Sequence, residues 1–216
     1  MAGLEDALSA VPDRAAIPTG EVTITTTPDI GRELLAPALV PFRSRYPAIR
    51  VHVVLTDQVI DLLRDGIDIA LRVGRPRGDT LIARKIGDLA AGFFASPAYL
   101  SRRGQPARLE ELAAHDGLWP SPKGRGAFTT GRTPPLPAIE CDDFGLLAEV
   151  ARAGGGIALL PTFVATRDVA SGALIRVLPE VSFKDAPLYL VSRQERPLPS
   201  RVAALRGSLL DTLTSR

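Results

Sequence analysis

Between Gly20 and Gly74 the chain switches repeatedly between short β-branched runs and helix-like stretches: "EVTITTT", "PDIGRELLAPALVPFRSRY", "IRVHVVL", "TDQVIDLLRDG" and "IDIALRVG". Strands separated by connections this long cannot close as hairpins and instead pair in parallel across a crossover. The order strand, helix, strand, helix, strand therefore specifies α/β architecture with right-handed parallel crossovers. The pattern restarts further on. "GLWP", "LPAIECDD", the amphipathic "DFGLLAEVARAGGG", "IALLP", "TFVATRDVASG" and "LIRVLP" form a second block, preceded by the short helices "PAYLSRRG" and "RLEELAAH". Two such blocks predict two lobes, each with its own sheet. Ligands of such folds bind at the carboxyl ends of the parallel strands.

Local signals refine these elements. "TDQVIDLLRDG" has a Thr/Asp start and a glycine stop and reads as a short helix. Pro37 and Pro41 are expected to start or kink a helix, because each lacks the N–H that a helix interior uses. "LIARKIG", "LAAGFFAS" and "PLYLVSR" read as further strands, residues 121–135 as a loop rich in Gly, Pro and Thr, and "PSRVAALRGSLLDTLTS" as a closing helix. Residues 1–19 read as the end of a helix followed by a linker.

Composition removes several classes of function. Over 216 residues the formal charge is +2, and the arginines of "RSR", "GRPRGD" and "SRRG" are scattered between apolar elements. A nucleic-acid module would show a basic stripe with interleaved aromatics instead. The one cysteine, Cys141, permits no intramolecular disulfide. No run approaches the ~20 apolar residues of a membrane span, and the N-terminus lacks the basic and apolar regions of a secretory signal. These features lead to the expectation of a cytoplasmic protein.

The residues with chemistry to offer are few. Thr25, Thr26, Thr27 and Asp29 stand where the first strand hands over to a helix. Hydroxyls there either cap the helix or join its unpaired N–H groups in binding an anion. "LRVGRPRGD" ends a strand beside Arg72, Arg75 and Arg77, and an arginine fork matches a carboxylate in bidentate fashion. "ARAGGGIALLP" is no dinucleotide fingerprint, since its glycines follow a helix rather than open one. Cys141, His52 and His115 carry no nucleophile–base spacing, "CDD" at 141–143 is too small for a metal site, and there is no phosphate loop. No enzyme signal survives, and no cofactor is implied.

The motifs "LLAPALVPFRSRYPAIRV", "DLLRDGIDIALRVG", "LIARKIG", "ASPAYL", "EELAAHDGL", "GGGIALLP", "SGALIRVLPE" and "PLYLVSR", in this order and spacing, resemble the effector-binding domain of LysR-type transcriptional regulators. The resemblance runs from about residue 20 to the end. It implies two Rossmann-like lobes of the type II periplasmic-binding-protein kind joined by two crossover strands, the first lobe comprising 20–93 and 187–216 and the second 94–186. It further implies that a small-molecule effector, often an organic acid, binds between the lobes. Carried over by position, the cleft would be lined by Thr25, Thr26, Thr27, Thr56, Gly74, Arg75, Ser121, Pro122, Asp143 and Phe144. A homodimer is implied, with a tetramer open to a full-length protein. DNA would be reached only through an N-terminal winged helix-turn-helix that this sequence lacks. The competing readings are a transporter's solute-binding protein, which should begin with a signal peptide, and a lyase or transferase, which needs a reactive Cys, Lys or acid pair in the cleft.

Overall fold

A computed structural model of the protein describes residues 17–58, 60–75, 81–121, 135–183, 186–194 and 197–214. Ten strands form two five-stranded sheets. The first contains β1 (Gly20–Thr26), β2 (Ile49–Leu55), β3 (Ile69–Val73), β4 (Leu81–Leu89) and β10 (Ala186–Arg193), in the order β2-β1-β3-β10-β4. The second contains β5 (Ala91–Ala95), β6 (Gly117–Pro120), β7 (Ile139–Cys141), β8 (Ile157–Pro161) and β9 (Ile175–Val177), in the order β7-β6-β8-β5-β9.

Within the first sheet β1 is parallel to both β2 and β3, as the alternation predicts. The late strand β10 returns antiparallel between β3 and β4. In the second sheet β6 is parallel to β7 and β8, while β5 runs antiparallel to β8 and β9. The chain passes from the first sheet to the second at Ala90 and returns between Val177 and Ala186. That return begins at Leu178, the one non-glycine among the described residues with positive φ, at 50°.

The second sheet is covered on both faces, and the sequence shows why. In β5 and β8, Phe93, Ile157 and Leu159 enter one core with Tyr99 of α3 (Pro97–Arg103), Leu112 and Trp119, while Phe94, Ala158 and Leu160 enter another with Leu147, Ala151 and Ala165. Successive strand residues point to opposite faces, so near-continuous apolar runs mark strands buried on both sides. On the first sheet, Val22, Ile24, Ile69 and Leu71 pack beneath Ile30, Leu35, Phe42, Leu205 and Leu209. The last two belong to the closing helix, Ser200–Thr214.

Two local expectations are corrected. The stretch 56–66 does not form the expected helix. The Asp61 carboxylate accepts the N–H groups of Leu63 and Arg64, and the Thr56 hydroxyl accepts that of Gln58. Such side-chain acceptors offer the backbone an alternative to a helix. A single turn remains, closed by the Ile67 N–H on the Leu62 carbonyl with Gly66 left-handed at φ +67, the geometry of a Schellman stop.

Pro41, in turn, does not start a helix but sits inside one. Helix α1 (Pro28–Ile30) continues through a π-helical turn (Gly31–Leu35) into α2 (Ala36–Arg45), which carries Pro37 in its first turn, as expected, and Pro41 in its interior. In that widened turn the Ala36 N–H reaches back five residues to the Gly31 carbonyl. Pro37 is half-buried and Pro41 exposed, so water can serve the carbonyls whose intrahelical donors the prolines lack.

Candidate functional site

The carboxyl ends of β1, β2 and β3 converge on a short polar constellation. Thr25 and Thr26 are fully buried. The Thr25 hydroxyl donates to the Val54 carbonyl and the Thr26 hydroxyl to the Leu71 carbonyl, each at 2.9 Å. The hydroxyl hydrogens of both are thus spent on neighbouring strands and are not free to donate into a cleft. Thr27 differs. It is the N-cap of α1, with extended backbone, and its side chain makes no cap bond.

Arg72 crosses this edge from β3. Its guanidinium donates to the Thr56 carbonyl and, at 2.9 Å, to the Thr25 hydroxyl oxygen. The Thr56 N–H in turn donates to the Thr26 carbonyl at 2.9 Å. Burial lowers the pKa of Arg72, and the nearby Asp57 carboxylate opposes that shift; an arginine remains charged all the same. Arg75, the arginine preferred on sequence position, is exposed two residues beyond the strand end. Gly74 donates its N–H to the Pro187 carbonyl at 2.8 Å, with φ at +83.

The second sheet presents its own strand-to-helix junction. Asp143 is the N-cap of α4 (Phe144–Arg152), its carboxylate accepting the Leu146 N–H at 2.7 Å. Ser121 adjoins it, donating its N–H to the Cys141 carbonyl at 2.9 Å. Phe144 is half-buried and packs against both cores of the second sheet. Pro122 lies outside the described residues.

The two junctions meet through residues of which the sequence singled out Asp29 and Asp143. Asp29, 6% exposed, pairs with Arg32 at 2.8 Å and stands across a groove from Gly145 at the start of α4. Arg32 also approaches Asp143, at 3.7 Å. A methyl group on Gly145 would stand 2.6 Å from the Arg32 guanidinium and 2.9 Å from the Asp143 carboxylate, so it would push those side-chain ends aside. Burial, and then the Asp143 charge, push the Asp29 carboxyl up to about 6, against the pull of Arg32 and the Gly145 N–H.

Behind this contact a groove of about 440 Å³ runs between the helices. Its walls come from Asp29, Arg32 and Glu33 on one side and from α4 and α5 (Thr162–Ala170) on the other. Arg167 of α5 pairs with Glu33 across it at 3.6 Å. Arg32 had a sequence signal, its spacing of three from Asp29 on a helix. Gly145 and the Arg167–Glu33 pair had none, since they meet only when the two blocks pack. Among the described residues no group of three His, Cys, Asp or Glu could hold a metal ion.

Two α/β sheets joined by two crossovers, with strand-to-helix turns facing one another, define a two-lobed domain of the type II periplasmic-binding-protein kind. The LysR substrate binding domain model matches residues 15–214, and the chain belongs to that family. An uncharacterised HTH-type transcriptional regulator of Haemophilus influenzae is 32% identical over 212 residues, covering 94% of this chain and 73% of its own length. The HTH-type transcriptional regulator CrgA of Neisseria meningitidis serogroup C is 31% identical over 220 residues, covering 99% and 73%. The solved structure of the CrgA regulatory domain superposes with a TM-score of 0.82 at 30% identity, over 91% of this chain and all of that one. The relatives are transcriptional regulators, and no helix among the described residues is long and apolar enough to cross a membrane.

Proposed function

We propose that this chain is the sensing domain of a transcriptional regulator and that it binds a small organic anion between its lobes. The observation that carries the reading is Arg72. A guanidinium is fixed by the Thr56 carbonyl and the Thr25 hydroxyl at the carboxyl ends of three parallel strands, where such folds take their ligands. Thr27, with its side chain not used as a cap, stands at the start of the adjoining helix. The proposed lining is Thr27, Thr56, Arg72, Gly74, Asp143 and Phe144. Thr25 and Thr26 support it from behind, and Arg75 and Ser121 stand at its margins. The proposed lobes exchange at the crossovers, 20–90 with 186–214 and 91–183. Contact with DNA is assigned to a part of the regulator outside this sequence.

A thermal-shift and calorimetric screen of small mono- and dicarboxylic acids tests the reading. A ligand that binds the folded state raises its melting temperature by mass action. Arg72→Gln should weaken a hit by about 1.5–3 kcal/mol, the range for a hydrogen bond to a charged group, while Arg75→Gln changes it less. Unchanged affinity in Arg72→Gln would reject this site.

Self-association is proposed as well. Val40 on α2 and Leu55 on β2 are 68% and 48% exposed, and Leu146 on α4 and Ile139 on β7 are 49% and 39% exposed. Two complementary apolar patches suit an antiparallel two-fold pair, α2 of one chain against α4 of the other. Light scattering at tens of micromolar should give a dimer mass that Val40→Glu reduces.

A further inference from the structure

The groove between the lobes carries charges that do not balance. Five carboxylates and three guanidinium groups line it. Arg32 reaches Asp29 at 2.8 Å and Asp143 at 3.7 Å, Arg167 reaches Glu33 at 3.6 Å, and Arg152 serves Glu149 and, at 3.5 Å, Asp168. Charge-assisted pairs of full strength close to ~2.7–2.9 Å, so three of these five contacts are loose. Position sharpens the imbalance. The side chains of Asp29, Asp168 and Glu33 are 8, 16 and 22% exposed, against 49, 36 and 75% for Arg32, Arg152 and Arg167. The inner wall is therefore acidic, and the guanidinium groups stand nearer the rim. Carboxylates taken out of water need positive partners.

This groove adjoins the place assigned above to the effector's anionic group. Thr27, at the start of α1, is two residues from Asp29, and Asp143 belongs to both linings. The Asp143 carboxylate uses one oxygen to cap Leu146, at 2.7 Å, and turns the other toward Arg32. A single nitrogen of Arg32 faces both Asp29 and Asp143, so one small cationic group reaches both carboxylates. A purely anionic effector would meet Asp143 as a like charge, whereas an effector with a positive end turns that repulsion into attraction. Building on the proposed effector site, we infer that the effector is an amino acid or related zwitterion, its carboxylate held by Arg72 and Thr27 and its ammonium group held between Asp29 and Asp143. An ammonium group carries three donors around a compact charge, enough for both carboxylates. A metal ion does not answer the same need, since among the described residues no three His, Cys, Asp or Glu come together to hold one.

Calorimetry on matched acids at neutral pH tests the inference. Each pair differs by one amino group: succinic with aspartic acid, glutaric with glutamic acid, and pentanoic with 2-aminopentanoic or 5-aminopentanoic acid. In at least one pair the amino acid should bind about tenfold or more tightly than its partner, the change that one hydrogen bond between charged groups corresponds to. Asp143→Asn should remove most of that preference. Asparagine is also a good N-cap, so α4 keeps its start, and the variant's melting temperature checks that it folds. Arg72→Gln should instead weaken both members of the pair and leave their ratio in place. Plain acids that bind as tightly as their amino counterparts, or a preference that survives Asp143→Asn, would overturn this inference and leave the organic-anion reading standing. Amino-acid binding indifferent to Arg72→Gln would overturn the anion reading and this one with it, and so would the absence of binding in every pair.

Discussion

The two strand-to-helix junctions of this domain solve the same problem in opposite ways. At the start of α4 the N-cap is Asp143, whose carboxylate accepts the Leu146 N–H at 2.7 Å while its side chain stays 39% exposed. At the start of α1 the N-cap is Thr27, which makes no cap bond, and the carboxylate nearby, Asp29, is buried and paired with Arg32 on the same helical course. One helix end is satisfied by its own cap and the other is not. A junction that caps itself with an exposed carboxylate adds stability, whereas a carboxylate buried at such a junction carries a desolvation cost. The carboxyl groups reflect it: Asp29 is raised to about 6 by burial and by the Asp143 charge.

Neutralising the buried Asp29 carboxylate should have the largest consequence for stability. Because the folded protein holds Asp29 above its ordinary value, its contribution is full below about pH 4 and is lost as pH rises through about 6. The ionised group therefore costs about 2–3 kcal/mol at pH 8. Asp29→Asn should recover most of that, measured by urea unfolding, and the gap between variant and parent should close near pH 4. A variant less stable than the parent at pH 8 would mean that the Arg32 pair outweighs desolvation.

Removing the self-cap should matter less and in the other direction. Asp143→Ala strips the Leu146 N–H of its acceptor and should cost about 1 kcal/mol. Since it also removes the main charge repelling Asp29, the pH dependence of stability should flatten. An Asp143→Ala protein with the parent's pH profile would show that burial alone sets the Asp29 carboxyl. The smallest effect belongs to Thr27→Ala, below about 0.5 kcal/mol in the ligand-free protein, as for substitutions that break no contact. If its hydroxyl serves an anion, the loss should appear in affinity instead, at about 0.5–1.5 kcal/mol. A destabilised apo-protein would mean that the hydroxyl does cap the helix in solution.

Much of the architecture was legible because strand and helix leave different periods in the chain. The runs "VTITT" in β1 and "IALLP" in β8 needed no tertiary knowledge to be read as strands, and strands joined by long crossovers had to pair in parallel, as β1 does with β2 and β3. The failures were local competitions. Asp61 and Thr56 offer side-chain acceptors that beat one short helix, and a π turn before Pro37 lets a helical course continue where proline alone argues for a break.

By itself the sequence determined the α/β class, the two blocks, and the strand-to-helix turn at Thr25–Asp29, since each rests on residues near one another in the chain. Tertiary structure alone decided which of those polar groups remain available. Thr25 and Thr26 spend their hydroxyl hydrogens on carbonyls 29 and 45 residues away. Arg72 rather than Arg75 is anchored at the strand ends, because only Arg72 lies within reach of Thr25 and Thr56 once β1 and β3 are in register. Asp29 faces Gly145 across 116 residues of chain for the same reason: hydrogen bonds and desolvation act over a few ångströms of space, and sequence separation does not measure that distance.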